Sequence, residues 1–275
     1  KEKKRIFSYS KTMKKYLVIG NPIEHSLSPR LHNHWIKKNN IDAIYDKKQL
    51  NEGDIEGIIS EVRNEKIYGI NVTVPFKKLA ISFIDELSAE ANEAQSVNTI
   101  YKENNKIVGH NTDISGFELA LRGKNYDIKN KKVFILGAGG VTSSIILALK
   151  KMGASKVILS NRTKKKAEEL KKTFSDLEIV DWGEIPEFNM IINTTSLGLN
   201  KDDEIKLDYE NIGSNKFFYD VIYNPRQTKF LSKAKQFGNQ IENGKMMFIY
   251  QAHQAFTIWH KIMPKIDDKT IKLLD

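Results

Sequence analysis

Short runs of consecutive apolar residues alternate along the chain with longer stretches whose apolar positions recur every three or four residues. That is the rhythm of buried strands and amphipathic helices. Residues 16–20 read as a strand and 29–38 as a helix with Ser28 as its N-cap. Residues 43–50 are strand-like, 53–63 helical, and 67–74 a strand ended by Pro75. Helical patterns cover 76–87 and 89–95, and 97–101 pairs with 106–111 across an Asn104-Asn105 turn. A helix follows at 113–121.

From there the alternation is more regular. The apolar strand 132–136 runs directly into Gly137-Ala138-Gly139-Gly140 and a helix to residue 151. A strand at 156–160, a charged helix at 164–173 and strands at 190–193 and 217–220 come next. The last long helix, 246–263, is able to pack on either half. The pattern predicts an α/β fold with right-handed βαβ crossovers and two sheets, divided near 111–115.

Strand, glycine turn and helix in direct succession predict a dinucleotide site. Gly137 permits the tight turn, and Gly139 lets backbone approach a pyrophosphate at the helix N-terminus. The third small position falls on Thr142, where Gly or Ala is usual, so packing there must accept a hydroxyl and a methyl. The next strand ends in Asn161-Arg162-Thr163. An NAD site places a carboxylate there for the ribose 2′-hydroxyl, whereas Arg162 suits a 2′-phosphate, which favours NADP. Lys164, Lys165 and Lys166 read as a solvated helix start.

Composition narrows the remaining options. The 275 residues are 40% hydrophobic and 28% charged, an ordinary globular balance. The absence of Cys excludes disulfides, thiolate metal sites and a cysteine nucleophile, and fits a reducing cytoplasm. No apolar run is long enough to span a bilayer. Of the net charge of +10, residues 1–15 supply six, with seven Lys/Arg and one Glu. The basicity is therefore a tail, expected to be a disordered extension over residues 1–12, and nucleic-acid binding is not expected. The six His show no metal-ligand spacing; they read as surface or hydrogen-bonded groups, with no metal expected.

Polar motifs cluster at the expected strand ends of the first half, where a rigid scaffold holds functional groups. Ser26 and Ser28 follow the first strand. Asn71, Thr73 and Lys77 surround Pro75. Asn98 lies in the first strand of the hairpin, and Thr112 and Asp113 follow its second. Neutral donors with one Lys–Asp pair suit a small, polyhydroxylated, anionic ligand. Taken singly, Asp113 reads as a cap for a helix over 115–121, Lys77 as a solvated lysine, and Tyr223, Met247 and Gln251 as packing residues.

Together with Asn193-Thr194-Thr195-Ser196-Leu197-Gly198, Asp220-Val221-Ile222-Tyr223-Asn224-Pro225 and Asn243-Gly244, these motifs resemble shikimate dehydrogenases of the aromatic amino-acid pathway. The resemblance covers roughly residues 16–264. It implies NADP-linked interconversion of shikimate and 3-dehydroshikimate, a step toward chorismate. It also implies a Rossmann-like cofactor domain (113–242) inserted into a substrate domain (13–112 plus 243–275), and it is compatible with a homodimer. Lys77 and Asp113 match the catalytic pair. Ser26, Ser28, Thr73 and Tyr223 match groups around the substrate carboxylate, and Asn98, Asp113 and Gln251 those on the ring hydroxyls. Gly137, Ala138, Gly139, Gly140 and Val141 match the pyrophosphate turn, and Asn161, Arg162 and Thr163 the 2′-phosphate clamp. Thr194, Ser196 and Met247 match positions near the cofactor. Gln95-Ser96 departs from the usual Gly-Ala. Rival readings are a relative that takes quinate or NAD, a catalytically silent NADPH sensor, and nucleic-acid binding through the basic tail.

Overall fold

The computed structural model describes residues 13–275; the basic extension expected over 1–12 lies outside the described residues. The first sheet holds β1 (Lys14–Gly20), β2 (Ala43–Gln49), β3 (Gly69–Val72), β4 (Glu86–Leu87), β5 (Thr99–Glu103) and β6 (Lys106–His110) in the order β2-β1-β3-β5-β6-β4. β1 runs parallel to β2 and β3, while β5 is antiparallel to β3 and β6. The hairpin turn between β5 and β6 falls on Asn104 and Asn105, at φ of 49° and 62°. Asn tolerates that left-handed backbone better than most residues. Helices α1 (Ser28–Lys38), α2 (Ile55–Arg63) and α3 (Ala89–Ala94) lie between these strands, and α4 (Asp113–Gly123) leads away from β6.

The second sheet holds β7 (Lys132–Leu136), β8 (Lys156–Ser160), β9 (Glu178–Ile179), β10 (Met190–Asn193), β11 (Phe217–Asp220) and β12 (Gln240–Asn243). Their order is β9-β8-β7-β10-β11-β12, with every recorded pairing parallel. Counted from β7, this is the doubly wound 3-2-1-4-5-6 arrangement, whose ligand crevice opens beside the first strand's carboxyl end. Between the strands come α5 (Thr142–Lys151), α6 (Lys164–Thr173), α7 (Tyr209–Ile212) and α8 (Lys229–Gln236); α9 (Lys245–His260) and α10 (Asp268–Lys272) follow β12.

Side-chain alternation explains why β7 is continuously apolar. Val133 and Ile135 join one core with Ile145 and Leu149 of α5 and Phe117 of α4. Phe134 and Leu136 join another with Phe230 and Leu231 of α8. Both faces of the sheet are covered, so both parities must be apolar. α9 serves both halves. Met247 joins the core against α5, while Ile249, Ala252 and Phe256 pack with Val18, Leu31 and Trp35 of the first half.

Two expectations need correction. Residues 76–87 form no α-helix, only a 3₁₀ turn at Leu79–Phe83 and the short β4. Asp85 takes over: its backbone N donates to Ile107 O at 3.0 Å, and its carboxylate accepts from Ile107 N at 2.7 Å. These bonds to β6 compete with helical ones. Ser28 is the first residue of α1, not its cap. Leu27 holds the cap position without a side-chain bond, and Pro29 fills the first turn.

Candidate active site

Lys77 and Asp113 form a buried ion pair between the two sheets, with only 9% and 6% of their surfaces exposed. Lys77 Nζ donates to Asp113 Oδ2 at 2.6 Å. Asp113 is not a cap for a helix starting at 115, because α4 already begins at Asp113. The side chain of Asn111 does the capping instead, its Oδ1 accepting from the backbone N of Asp113 and Ile114 at 3.0 and 3.2 Å. The Asp113 carboxylate is thereby free for Lys77 and for Asn98, whose Nδ2 donates to Asp113 Oδ1 at 3.3 Å. It also sits in the favourable field of a helix N-terminus.

Ser26, Ser28 and Thr73 gather at the carboxyl ends of β1 and β3. Ser28 N donates to Ser26 Oγ at 3.3 Å, and Thr73 N donates to Ile19 O at 2.9 Å. Gly20 permits this closeness, since a Cβ there would lie 2.5 Å from Thr73 Cγ2. Tyr223 lies on the loop after β11 with its ring 4.9 Å from that of Phe248, and burial raises its phenol pKa. Gln251 Nε2 donates to Phe248 O at 2.8 Å. Gly116 lets α4 and α9 cross closely, for a Cβ there would lie 2.9 Å from Met247 O and 3.1 Å from Gln251 Cβ. The crossing sets Met247 and Gln251 against the turn that carries Asp113. Among the described residues, no hydrogen bond joins Ser26, Ser28, Thr73, Tyr223 or Gln251 to the ion pair.

The glycine turn faces the same pair. Gly137 has φ of +109°, which an L side chain rarely adopts, and a Cβ there would lie 2.6 Å from Thr194 Oγ1. Gly139 is open, with nothing closer than 4.0 Å to a Cβ placed there. A Cβ on Gly140 would lie 3.7 Å from Lys77 Cδ, and Ser96 Oγ donates to Gly140 O at 3.5 Å. Val141 packs on the core beside α5. Thr142 fits where a smaller residue was expected because its hydroxyl is used. It lies 2.9 Å from Thr194 Oγ1 and donates to Gly137 O at 3.2 Å.

Asn161 ties β8 to the turn, accepting from Ala138 N at 3.2 Å, and its Nδ2 donates to Thr163 O at 2.8 Å. Arg162, Thr163 and Ser196 are exposed. Lys164 pairs with Asp181 at 2.7 Å, while Arg162 has no ion-pair partner among the described residues. An open glycine backbone at a helix start, followed by a free guanidinium in place of a carboxylate, fits NADP.

Several site neighbours sit within the sequence motifs without an assigned role there: Thr99, Asn111 as a cap, Asn193 and Asp220. His32 also departs from expectation, being neither on the surface nor hydrogen-bonded. It is 1% exposed, both ring nitrogens lack partners, and burial lowers its pKa to about 3. Among the described residues, no group of three His, Asp or Glu could hold a metal ion.

Asp220 anchors the loop that carries Tyr223, accepting from Thr228 Oγ1 at 2.6 Å, Ile222 N at 3.0 Å and Asn193 Nδ2 at 3.1 Å. Burial pushes its carboxyl up to about 6 from 3.8, against the pull of those donors. The folded value exceeds the unfolded one, so its contribution is fully present below pH ~4 and lost as pH rises through ~6. That rise corresponds to about 3 kcal/mol. Asp220→Asn preserves the shape and removes the titration, so its melting temperature should fall less between those pH values than that of the parent protein. Parallel melting curves for the two proteins across that range would contradict the assignment.

Residues 18–100 match the family described as shikimate dehydrogenase substrate binding domain, and residues 118–227 match shikimate / quinate 5-dehydrogenase. The shikimate dehydrogenase (NADP(+)) of Pelagibacter ubique is 61% identical over 95% of this chain and 99% of its own. The shikimate 5-dehydrogenase of Thermus thermophilus, solved with NADP(H) and shikimate, superposes with a TM-score of 0.85 at 30% identity, over 95% of this chain and 98% of that one. The enzyme of Listeria monocytogenes, solved with shikimate and NAD, gives a TM-score of 0.87 at 26% identity, over 100% and 99%. Matched over residues 18–100 and 118–227 by these family models and along 95% of its length by a 61% identical relative, this chain belongs to the shikimate dehydrogenase family.

Proposed function

We propose that this protein is an NADP-dependent shikimate dehydrogenase that interconverts shikimate and 3-dehydroshikimate, with reduction serving aromatic amino-acid biosynthesis in the cytoplasm. The observation that carries the reading is the buried Lys77–Asp113 pair facing the glycine turn, with Lys77 Cδ 3.7 Å from a Cβ built on Gly140. Such a pair can exchange a proton beside a dinucleotide. Residues 13–112 and 243–275 form the substrate domain, and 113–242 the cofactor domain.

Ser26, Ser28, Thr73 and Tyr223 hold the substrate carboxylate through hydroxyl donors. Asn98, Asp113 and Gln251 orient the ring hydroxyls. Lys77 stands at the carbinol oxygen: its neutral amine takes the proton as the carbonyl forms, the resulting ammonium returns it on reduction, and Asp113 orients that ammonium. A bound NADP would supply the hydride acceptor for the oxidative direction. Gly137, Ala138, Gly139, Gly140 and Val141 cradle its pyrophosphate. Asn161, Arg162 and Thr163 clamp the 2′-phosphate, and Thr194, Ser196 and Met247 line the nicotinamide end.

The test is nicotinamide absorbance with shikimate or quinate, each with NADP or NAD. Rapid reduction with shikimate and NADP alone is the expected result. Comparable rates with quinate or NAD would move the function to a broader relative. No reduction by folded protein that binds NADPH would support the silent sensor instead.

A further inference from the structure

A directional chain of side chains leads from the core of the first half to the ion pair. Tyr45 OH donates to Asn71 Oδ1 at 2.7 Å. Asn71 Nδ2 donates to Thr99 Oγ1 at 3.1 Å, and Thr99 Oγ1 donates to Asn98 Oδ1 at 3.0 Å. Asn98 Nδ2 then donates to Asp113 Oδ1 at 3.3 Å. All five residues are buried.

Two backbone groups fix the polarity of this chain. Asn98 O accepts from Asn71 Nδ2 at 3.1 Å, and Thr112 N donates to Asn98 Oδ1 at 2.8 Å. Flipping Asn71 would set two acceptors against each other. Flipping Asn98 would set its amide NH₂ against the Thr112 N–H and its oxygen against the Asp113 carboxylate. Every hydroxyl proton in between must therefore point toward Asp113. The far end is held by stacking: the His32 ring lies 4.2 Å from that of Tyr45, with 5° between their planes. Burial raises the Tyr45 phenol well above its ordinary pKa, opposed by the nearby Ser28 hydroxyl, so it stays a donor.

We infer that Tyr45, Asn71 and Thr99 are positioning residues that hold the Asn98 amide at the angle needed for a substrate ring hydroxyl, acting from behind the site without touching substrate. This inference rests on the proposed function. It separates the substrate from the cofactor: the chain ends on Asn98 and Asp113 and includes no residue of the glycine turn.

Thr99→Val removes the hydroxyl at nearly constant volume. Asn71 Nδ2 keeps its bond to Asn98 O and loses only the one to Thr99, and Asn98 Oδ1 keeps the Thr112 N–H, so each amide retains a partner. KM for shikimate should rise about tenfold, the size expected for one buried hydrogen bond. KM for NADP should stay near the parent value, the melting temperature should fall modestly from the N–H of Asn71 left unpaired, and Thr99→Ser should restore both the shikimate KM and the melting temperature. Tyr45→Phe tests the far end, with an expected rise of about threefold. A parent-like shikimate KM in both Thr99→Val and Tyr45→Phe would overturn the inference. So would equal rises in both KM values, or failure of Thr99→Ser to restore. The parent protein's own turnover of shikimate reports separately on the proposed function, because the inference concerns only ratios to the parent.

Discussion

Lys77→Met is expected to lower kcat for shikimate oxidation by about 10²- to 10⁴-fold, the usual worth of a positioned acid–base group. NADPH binding should survive. Methionine keeps the apolar stem beside Gly140 and removes the charge that reaches Asp113. The variant should also lose stability. It leaves a carboxylate that is 6% exposed with Asn98 as its remaining side-chain donor, and breaking one side of a buried pair costs about 3–5 kcal/mol. Asp113→Asn in the same chain should recover most of that stability while leaving kcat low, because the two residues share one interaction. Comparing kcat and melting temperature for the two single variants and the double variant separates the roles. Activity returning with stability in the double variant would show that the pair is structural. Asp113→Asn alone should retain more activity than Lys77→Met if Lys77 is the principal proton carrier; the reverse ranking would exchange the roles.

Arg162→Ala is expected to weaken NADPH binding by about ten- to a hundredfold and to leave NADH binding nearly unchanged. Arg162 is exposed and lacks an ion-pair partner among the described residues, so its guanidinium is available to a phosphate. Arg162→Asp should go further, because a carboxylate repels the 2′-phosphate while accepting a ribose hydroxyl. Fluorescence titration of both nucleotides measures this directly. Equal losses for NADPH and NADH would mean that Arg162 supports the turn and does not read the phosphate.

The doubly wound half was legible because its signals are local. A strand buried on both faces reads as an apolar run, and the glycine turn follows β7 without interruption. The misreadings arose where tertiary partners outweighed local pattern. Residues 76–87 carry helical spacing, but Asp85 bonds across to Ile107 and draws the segment onto the sheet edge. Ser28 looked like a cap and is instead buried within the first turn. Thr142 looked too large until its hydroxyl met Thr194, 52 positions away. The polar chain behind Asn98 was illegible for the same reason. Tyr45 and Asn71 are 26 residues apart, Asn71 and Thr99 28, and nothing local marks either as a partner. The buried His32 carries no sequence signal either, since its place is set by stacking on Tyr45.

The most direct measurement is a crystal structure of the protein with shikimate and NADP bound together. The carboxylate should lie at Ser26 and Ser28, with the hydroxyl to be oxidised about 3 Å from Lys77 Nζ, within hydrogen-bond reach. The nicotinamide should lie on the Met247 side, with the 2′-phosphate at Arg162. A substrate whose reacting hydroxyl faces away from Lys77, or a nucleotide bound away from the Gly137 turn, would contradict this arrangement.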